Sequence, residues 1–271
     1  MDYSKYQTLA VTVDAGLAVV TLNRPEKLNA ISAHGDSVSH IELENIWIDL
    51  GQDPDVAAII ITGAGRAFSA GGNLRAMADR AGKPEGWKNA VWATRGAPRL
   101  LNNLLSVPQP VISAVNGDAM GLGATVALFA DTVVISETAR IGDTHVKVGL
   151  VAGDGGTVIW PMLLGIARAK DFLMRAKVID GKEAERIGLV TCAVPQDRVM
   201  PEAVGIAEEF MKLPPLAVRW TKASINQTLK EQFVRAMDAA IALEALSMLS
   251  SDHAEAARAF LEKRPPRFSG M

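Results

Sequence analysis

His145 and Asp154 are the side chains of this sequence best suited to moving a proton. An imidazole is followed, nine residues on, by a carboxylate set among glycines in Val-Ala-Gly-Asp-Gly-Gly, just ahead of a predicted helix. An aspartate there can cap the helix by accepting from its free N–H groups. It can equally act as a general acid/base or orient the histidine, and the spacing leaves these readings open. Asp143, two residues before His145, is a further carboxylate whose setting also suits a surface turn. Backbone chemistry enters at two glycine-rich segments, 62–74 (TGAGRAFSAGGNL) and 114–128 (AVNGDAMGLGATVAL). Each follows an apolar run and opens a helix, where free N–H groups and the positive dipole end favour an anionic atom. One such turn is ordinary chain reversal, but two in one domain can aim one N–H each at the same oxygen, the construction of an oxyanion hole.

Other chemistries are disfavoured. Neither turn has the GxxxxGK[ST] pattern of a phosphate-binding loop, and GLGATV lacks the full dinucleotide spacing. His34, His40 and His253 lack metal-ligand spacing, so no metal site is expected. Cys192, the single cysteine, allows no internal disulfide and is expected to be buried and inert. The formal net charge of −2 offers no general field for nucleic acid or anionic lipid. No apolar run approaches a membrane span, and the N-terminal residues lack the basic-then-apolar pattern of a signal peptide. A cytoplasmic protein is expected.

Alternating elements must position these groups. Residues 8–22 read as two strands about the turn at Asp14-Ala15-Gly16, and 36–50 as a helix. The apolar run 56–62 has the character of a strand buried on both faces. There follow a helix near 88–106, a strand at 111–115, a helix at 121–130 and a strand at 132–136. A helix at 156–164, helices within 166–188 and a strand at 190–194 complete the series. The alternation implies an α/β fold with largely parallel pairing, either doubly wound or a spiral of ββα units. Residues 197–263 are helical in pattern, and their apolar stripes, such as AMDAAIALEALSMLSS, suit either core packing or a subunit interface.

Four segments in register resemble the crotonase (enoyl-CoA hydratase/isomerase) family: LNRPEKLNAIS at 22–32, RAFSAGGNLRAM at 66–77, AVNGDAMGLGATVAL at 114–128 and AFLEKRPPRFSG at 259–270. The resemblance implies a spiral of ββα repeats over 1–197 and a helical trimerisation region over 198–271. It implies an acyl-CoA substrate, with coenzyme A entering as part of that substrate and no permanently bound cofactor, and a homotrimer or dimer of trimers. It assigns the oxyanion donors to the backbone amides of Ala70 and Leu122. It assigns coenzyme A contacts to Lys27, Leu28 and Ala30, with Phe260 and Lys263 reaching a neighbouring subunit. Trp87 and Trp92 fall where the family covers the acyl group, although core packing would explain them equally.

The two glutamates that such hydratases use fall here on Thr125 and His145. Water addition by two carboxylates is therefore not expected, and His145 with Asp154 is expected to carry the proton chemistry of an acyl-CoA enzyme. His145 followed by Gly-Asp-Gly also resembles the subgroup that cleaves cyclic β-diketones by a retro-Claisen reaction without coenzyme A. A non-catalytic acyl-CoA-binding subunit is a third reading.

Overall fold

The structure, a computed structural model, describes residues 1–32, 38–80 and 83–270. Strands β1 (Leu9–Asp14) and β2 (Leu17–Leu22) form an antiparallel hairpin. Its two-residue turn has Ala15 at φ 47° and Gly16 at φ 87°, the left-handed pair that matches strand twist. Helix α1 (Ser39–Gln52) overlaps the expected 36–50 segment and runs two residues past its end; residues 36 and 37 are outside the described residues.

A repeat then sets in. Strand β3 (Ala58–Gly63) leads to β4 (Ala67–Ser69), then to helices α2 (Leu74–Ala78) and α3 (Pro84–Ser106). Strands β5 (Val111–Val115) and β6 (Asp118–Met120) lead to α4 (Leu122–Leu128). Strands β7 (Thr132–Ser136) and β8 (Arg140–Gly142) lead to α5 (Gly156–Leu164) and α6 (Ile166–Met174). Strands β2, β3, β5, β7 and β10 (Cys192–Val194) pair in parallel within a six-stranded sheet, β1-β2-β3-β5-β7-β10, and a second sheet of four strands runs β4-β6-β8-β9, with β9 at Val178–Asp180. Each repeat thus adds one strand to both sheets, so equivalent turns stack beside one another. This is the spiral of ββα units, and the doubly wound alternative is set aside.

The second sheet was not anticipated. Its members, including β9 (Val178–Asp180), are three residues long, too short to show alternation. Strand β9 also separates α6 from α7 (Gly181–Arg186), and β10 covers Cys192–Val194 rather than 190–194.

Strand β3 is buried throughout. Ile59 and Ile61 face the main core, while Ala58 and Ile60 face a second cluster under α8 (Val199–Met211). Helix α9 (Pro215–Ser247) places Phe233, Met237 and Ile241 in the main core at four-residue spacing. Its other faces expose Trp220, Ile225, Val234, Leu243 and Leu246. Helix α10 (Ser251–Glu262) closes the chain against α2 and the turn following β8. Among the described residues no helix is long and apolar enough to cross a membrane.

Candidate active site

The two glycine-rich turns meet. The first is stitched to the segment before α1: Ile31 N–H donates to Gly71 O at 2.8 Å, and Ser69 Oγ donates to Asn29 O at 2.8 Å. Asn29 holds both sides by donating its side-chain amide to Ala64 O at 2.9 Å and Ala67 O at 2.8 Å. Within this lacing Ala70 N–H donates to Leu28 O at 2.9 Å. The expected donor at Ala70 is therefore already committed, and so is the Leu28 carbonyl. Two residues on, the Ile31–Gly72 bridge leaves the Gly72 amide without a backbone acceptor among the described residues, and the same holds for Leu122 at the start of α4. Gly71, at φ 76°, lets the turns touch: a Cβ there would stand 2.3 Å from Met120 O and 3.3 Å from Leu122 N. The sequence reading chose Ala70 because it could not see which amide the 28–31 segment consumes.

His145, in the short helical turn His145–Val148 after β8, is buried between two carboxylates. Its Nδ1 lies 2.7 Å from Asp143 Oδ1 and its Nε2 3.1 Å from Asp154 Oδ2. Burial by itself would lower the imidazole's pKa, but the charges of Asp143 and Asp154 outweigh it and raise His145 well above the usual histidine range. Asp143 is correspondingly held below the usual carboxylate range, the His145 charge overcoming a burial effect of opposite sign. Asp143 is buried, so it is not the surface turn residue its sequence setting allowed.

Asp154 does not cap α5. The residue at that position is Gly155, and the Asp154 carboxylate turns to His145 and to Thr125, whose Oγ1 donates to Asp154 Oδ1 at 3.4 Å. The helix-cap reading of Asp154 is set aside.

A carboxylate absent from the sequence reading completes the cluster. Glu244 on α9 is buried, and its pKa is pushed up to about 8 by burial and by the Asp154 charge, with His145 acting in the opposite direction. The raised pKa favours its neutral acid form. The signal was present as a glutamate on the face that carries Met237 and Ile241, inside a stripe read as packing or interface. Gly72, Leu122, Asp154 and Glu244 line one cavity of about 80 Å³, walled also by Ile31, Trp92, Ala97 and Ile241. His145 stands behind Asp154 and is not among the lining residues.

Gly72, Asn73, Ala76 and Arg80 are shared with an adjoining open groove of about 520 Å³, lined also by Lys27, Ala30, Arg75 and Phe260. Phe260 therefore faces the groove of its own chain, because α10 folds back on α2. Lys263 is exposed at the end of α10 and does not line the groove, and Leu28 is half-buried beside it. Trp92 lines the inner cavity, whereas Trp87 is 60% exposed. Cys192 is half-buried rather than buried, with its thiol pKa pushed up chiefly by desolvation. His34 lies outside the described residues.

Asp143, His145 and Asp154 bring donor atoms within 4.8 Å of one another, a grouping that by residue type could hold a cation. Both ring nitrogens, however, already face carboxylate oxygens, and the raised His145 pKa favours the imidazolium, which repels a metal ion. The geometry fits a buried proton-bearing chain instead.

Comparison with known proteins agrees with this architecture. Residues 12–271 match the enoyl-CoA hydratase/isomerase family model. The chain is 32% identical over 264 residues to the crotonyl-CoA hydratase of Syntrophomonas wolfei, covering 97% of this chain and 98% of that one. It is 34% identical over 253 residues to the short-chain-enoyl-CoA hydratase of Clostridium acetobutylicum, covering 92% of each. The fold matches the crystal structure of an enoyl-CoA hydratase/isomerase from Mycobacterium paratuberculosis with a TM-score of 0.87 and 32% identity, over 94% of this chain and 99% of that one.

Proposed function

Because the chain belongs to the enoyl-CoA hydratase/isomerase family, we propose that it moves protons at the α carbon of an acyl-CoA thioester through an enolate whose oxygen is held by the Gly72 and Leu122 amides. The observation that carries this reading is the single cavity shared by those two residues, Asp154 and Glu244. The thioester oxygen gains charge as the α proton leaves, and two unspent amides aimed into a desolvated site stabilise that charge. Asp154 is the base. The imidazolium of His145 fixes its orientation and is itself fixed by Asp143. Glu244, neutral near pH 7, returns a proton to the enolate, so that a double bond can shift along the acyl chain without a bound cofactor. Thr125 cannot act as a base near neutral pH, and His145 is enclosed by two carboxylates, so crotonyl-CoA hydration should be slow beside α-proton exchange.

Coenzyme A itself belongs in the adjoining groove, where Lys27, Arg75 and Arg80 offer positive charge and Phe260 an aromatic face. The chain acts as a cytoplasmic homotrimer or dimer of trimers, with residues 198–271 as the oligomerisation region. The exposed apolar side chains of α9 support that assembly.

The test is deuterium incorporation into butyryl-CoA in heavy water. Wild type should exchange the α protons, while Asp154→Asn should be slower by about 10²- to 10⁴-fold with nearly unchanged affinity. Equal rates in the two proteins would remove Asp154 from the mechanism. A second reading draws on the His145–Asp154 pair at 3.1 Å. The pair would activate water against one carbonyl of a β-diketone, the C–C bond would break to an enolate, and Glu244 would protonate it. Cleavage of a cyclic β-diketone without coenzyme A, together with no α-proton exchange, would favour this reading.

A further inference from the structure

We infer that His40 makes the acyl cavity selective for an acyl group that carries a hydroxyl, an inference that rests on the thioester reading above. His40 lies on α1, among the residues lining the cavity with Asp154 and Glu244. It is 4% exposed, and an imidazole that deeply placed is costly unless its polar atoms find partners. Its Nδ1 makes no hydrogen bond among the described residues. Nδ1 lies 3.2 Å from Oε1 of Glu44, one helical turn along, although the approach is off the ideal hydrogen-bond line. The second Glu44 oxygen lies 3.3 Å from Arg99 Nη2. Trp92 meets the imidazole edge-on, with centroids 4.7 Å apart and planes at 82°, which holds the ring plane. Nε2 has no protein partner among the described residues.

Nε2 is left as a polar ring atom without a protein partner on a cavity wall, and a hydroxyl, which both donates and accepts, can pair with it. A hydrocarbon chain would bury that polar atom unsatisfied, whereas a hydroxyl would hydrogen-bond to it. A site built around a hydrogen bond discriminates against the analogue that lacks the polar group more strongly than an apolar pocket discriminates between chain lengths.

Calorimetric titration with butyryl-CoA, 3-hydroxybutyryl-CoA and 4-hydroxybutyryl-CoA tests the inference. At least one hydroxyl ester should bind about tenfold or more tightly than butyryl-CoA. His40→Phe, which keeps a ring against Trp92, should abolish that preference, with butyryl-CoA binding tighter because no polar atom is left unsatisfied. His40→Gln, which keeps a hydrogen-bonding group, should retain part of it, and thermal unfolding verifies that both variants fold. Equal binding of all three esters by wild type, or a preference that survives in His40→Phe, would overturn the role of His40. Failure of every ester to bind would instead remove the thioester reading and this inference with it.

Discussion

Replacing Glu244 with glutamine tests whether a buried acid completes the site. With its pKa pushed up to about 8, Glu244 is about nine-tenths protonated at pH 7 and about one-tenth at pH 9. If it donates the proton that resolves the enolate, α-proton exchange by wild type should fall about tenfold between these two pH values. Glutamine fills the same space but cannot donate, so Glu244→Gln should lose about 10²- to 10⁴-fold at pH 7 and show no falling limb near pH 8. Stability gives an independent reading. The folded pKa lies above the unfolded value of 4.5, so the folded protein holds the proton more tightly. The resulting stability is fully present below pH 4.5 and is lost as pH rises towards about 8. Relative to Glu244→Gln, wild type should lose on the order of 1 kcal/mol per pH unit across that window, measured by urea unfolding. Parallel rate and stability profiles for the two proteins would refute both the raised pKa and the catalytic assignment.

Other consequences follow from the same geometry. Asp143→Asn removes the larger of the two charges that raise His145, so the imidazole pKa should drop, as read by ¹H–¹⁵N NMR titration of the ring. In wild type the stability linked to His145 is fully present below pH 6.5 and lost as pH rises through the raised folded value; in Asp143→Asn that loss should end at lower pH and be smaller in total. Gly121 sits at φ 51°, and a Cβ there would lie 3.3 Å from His145 Cε1. Gly121→Ala should therefore cost about 1–3 kcal/mol in denaturant unfolding and also slow exchange by displacing the ring. Light scattering should find three or six copies of the 28.8 kDa chain, and a monomer at micromolar concentration would reject the assembly.

Much of this architecture was legible because its long strands are extreme. β3, β5 and β7 are apolar runs enclosed on both faces and bounded by glycine, asparagine or aspartate. The second sheet was not legible, since three residues span barely one alternation. Spacing also singled out His145 and Asp154, but not their order of action: Asp154 faces the cavity and His145 braces it from behind. Glu244 was hidden by the strength of the helical pattern around it, where one carboxylate on a core face is a weak signal against many alanines and leucines. That the Ala70 amide is taken up by Leu28 could not be read from sequence, because a backbone amide's availability depends on the partner strand and residues 28–31 are distant in sequence from the turn they lace.

Helix α10 touches both ends of this arrangement. Near its start, His253 Nδ1 lies 2.7 Å from Val148 O, in the turn that carries His145, and its backbone packs on Gly149. Near its end, Phe260 borders the groove proposed for coenzyme A. One short rod therefore joins the groove to the turn that packs behind Asp154. Occupancy of the groove should steady the His145 turn from a distance, slowing amide exchange at residues 145–150 even when the ligand is coenzyme A without an acyl group. Shortening the rod would in turn cost chemistry as well as affinity.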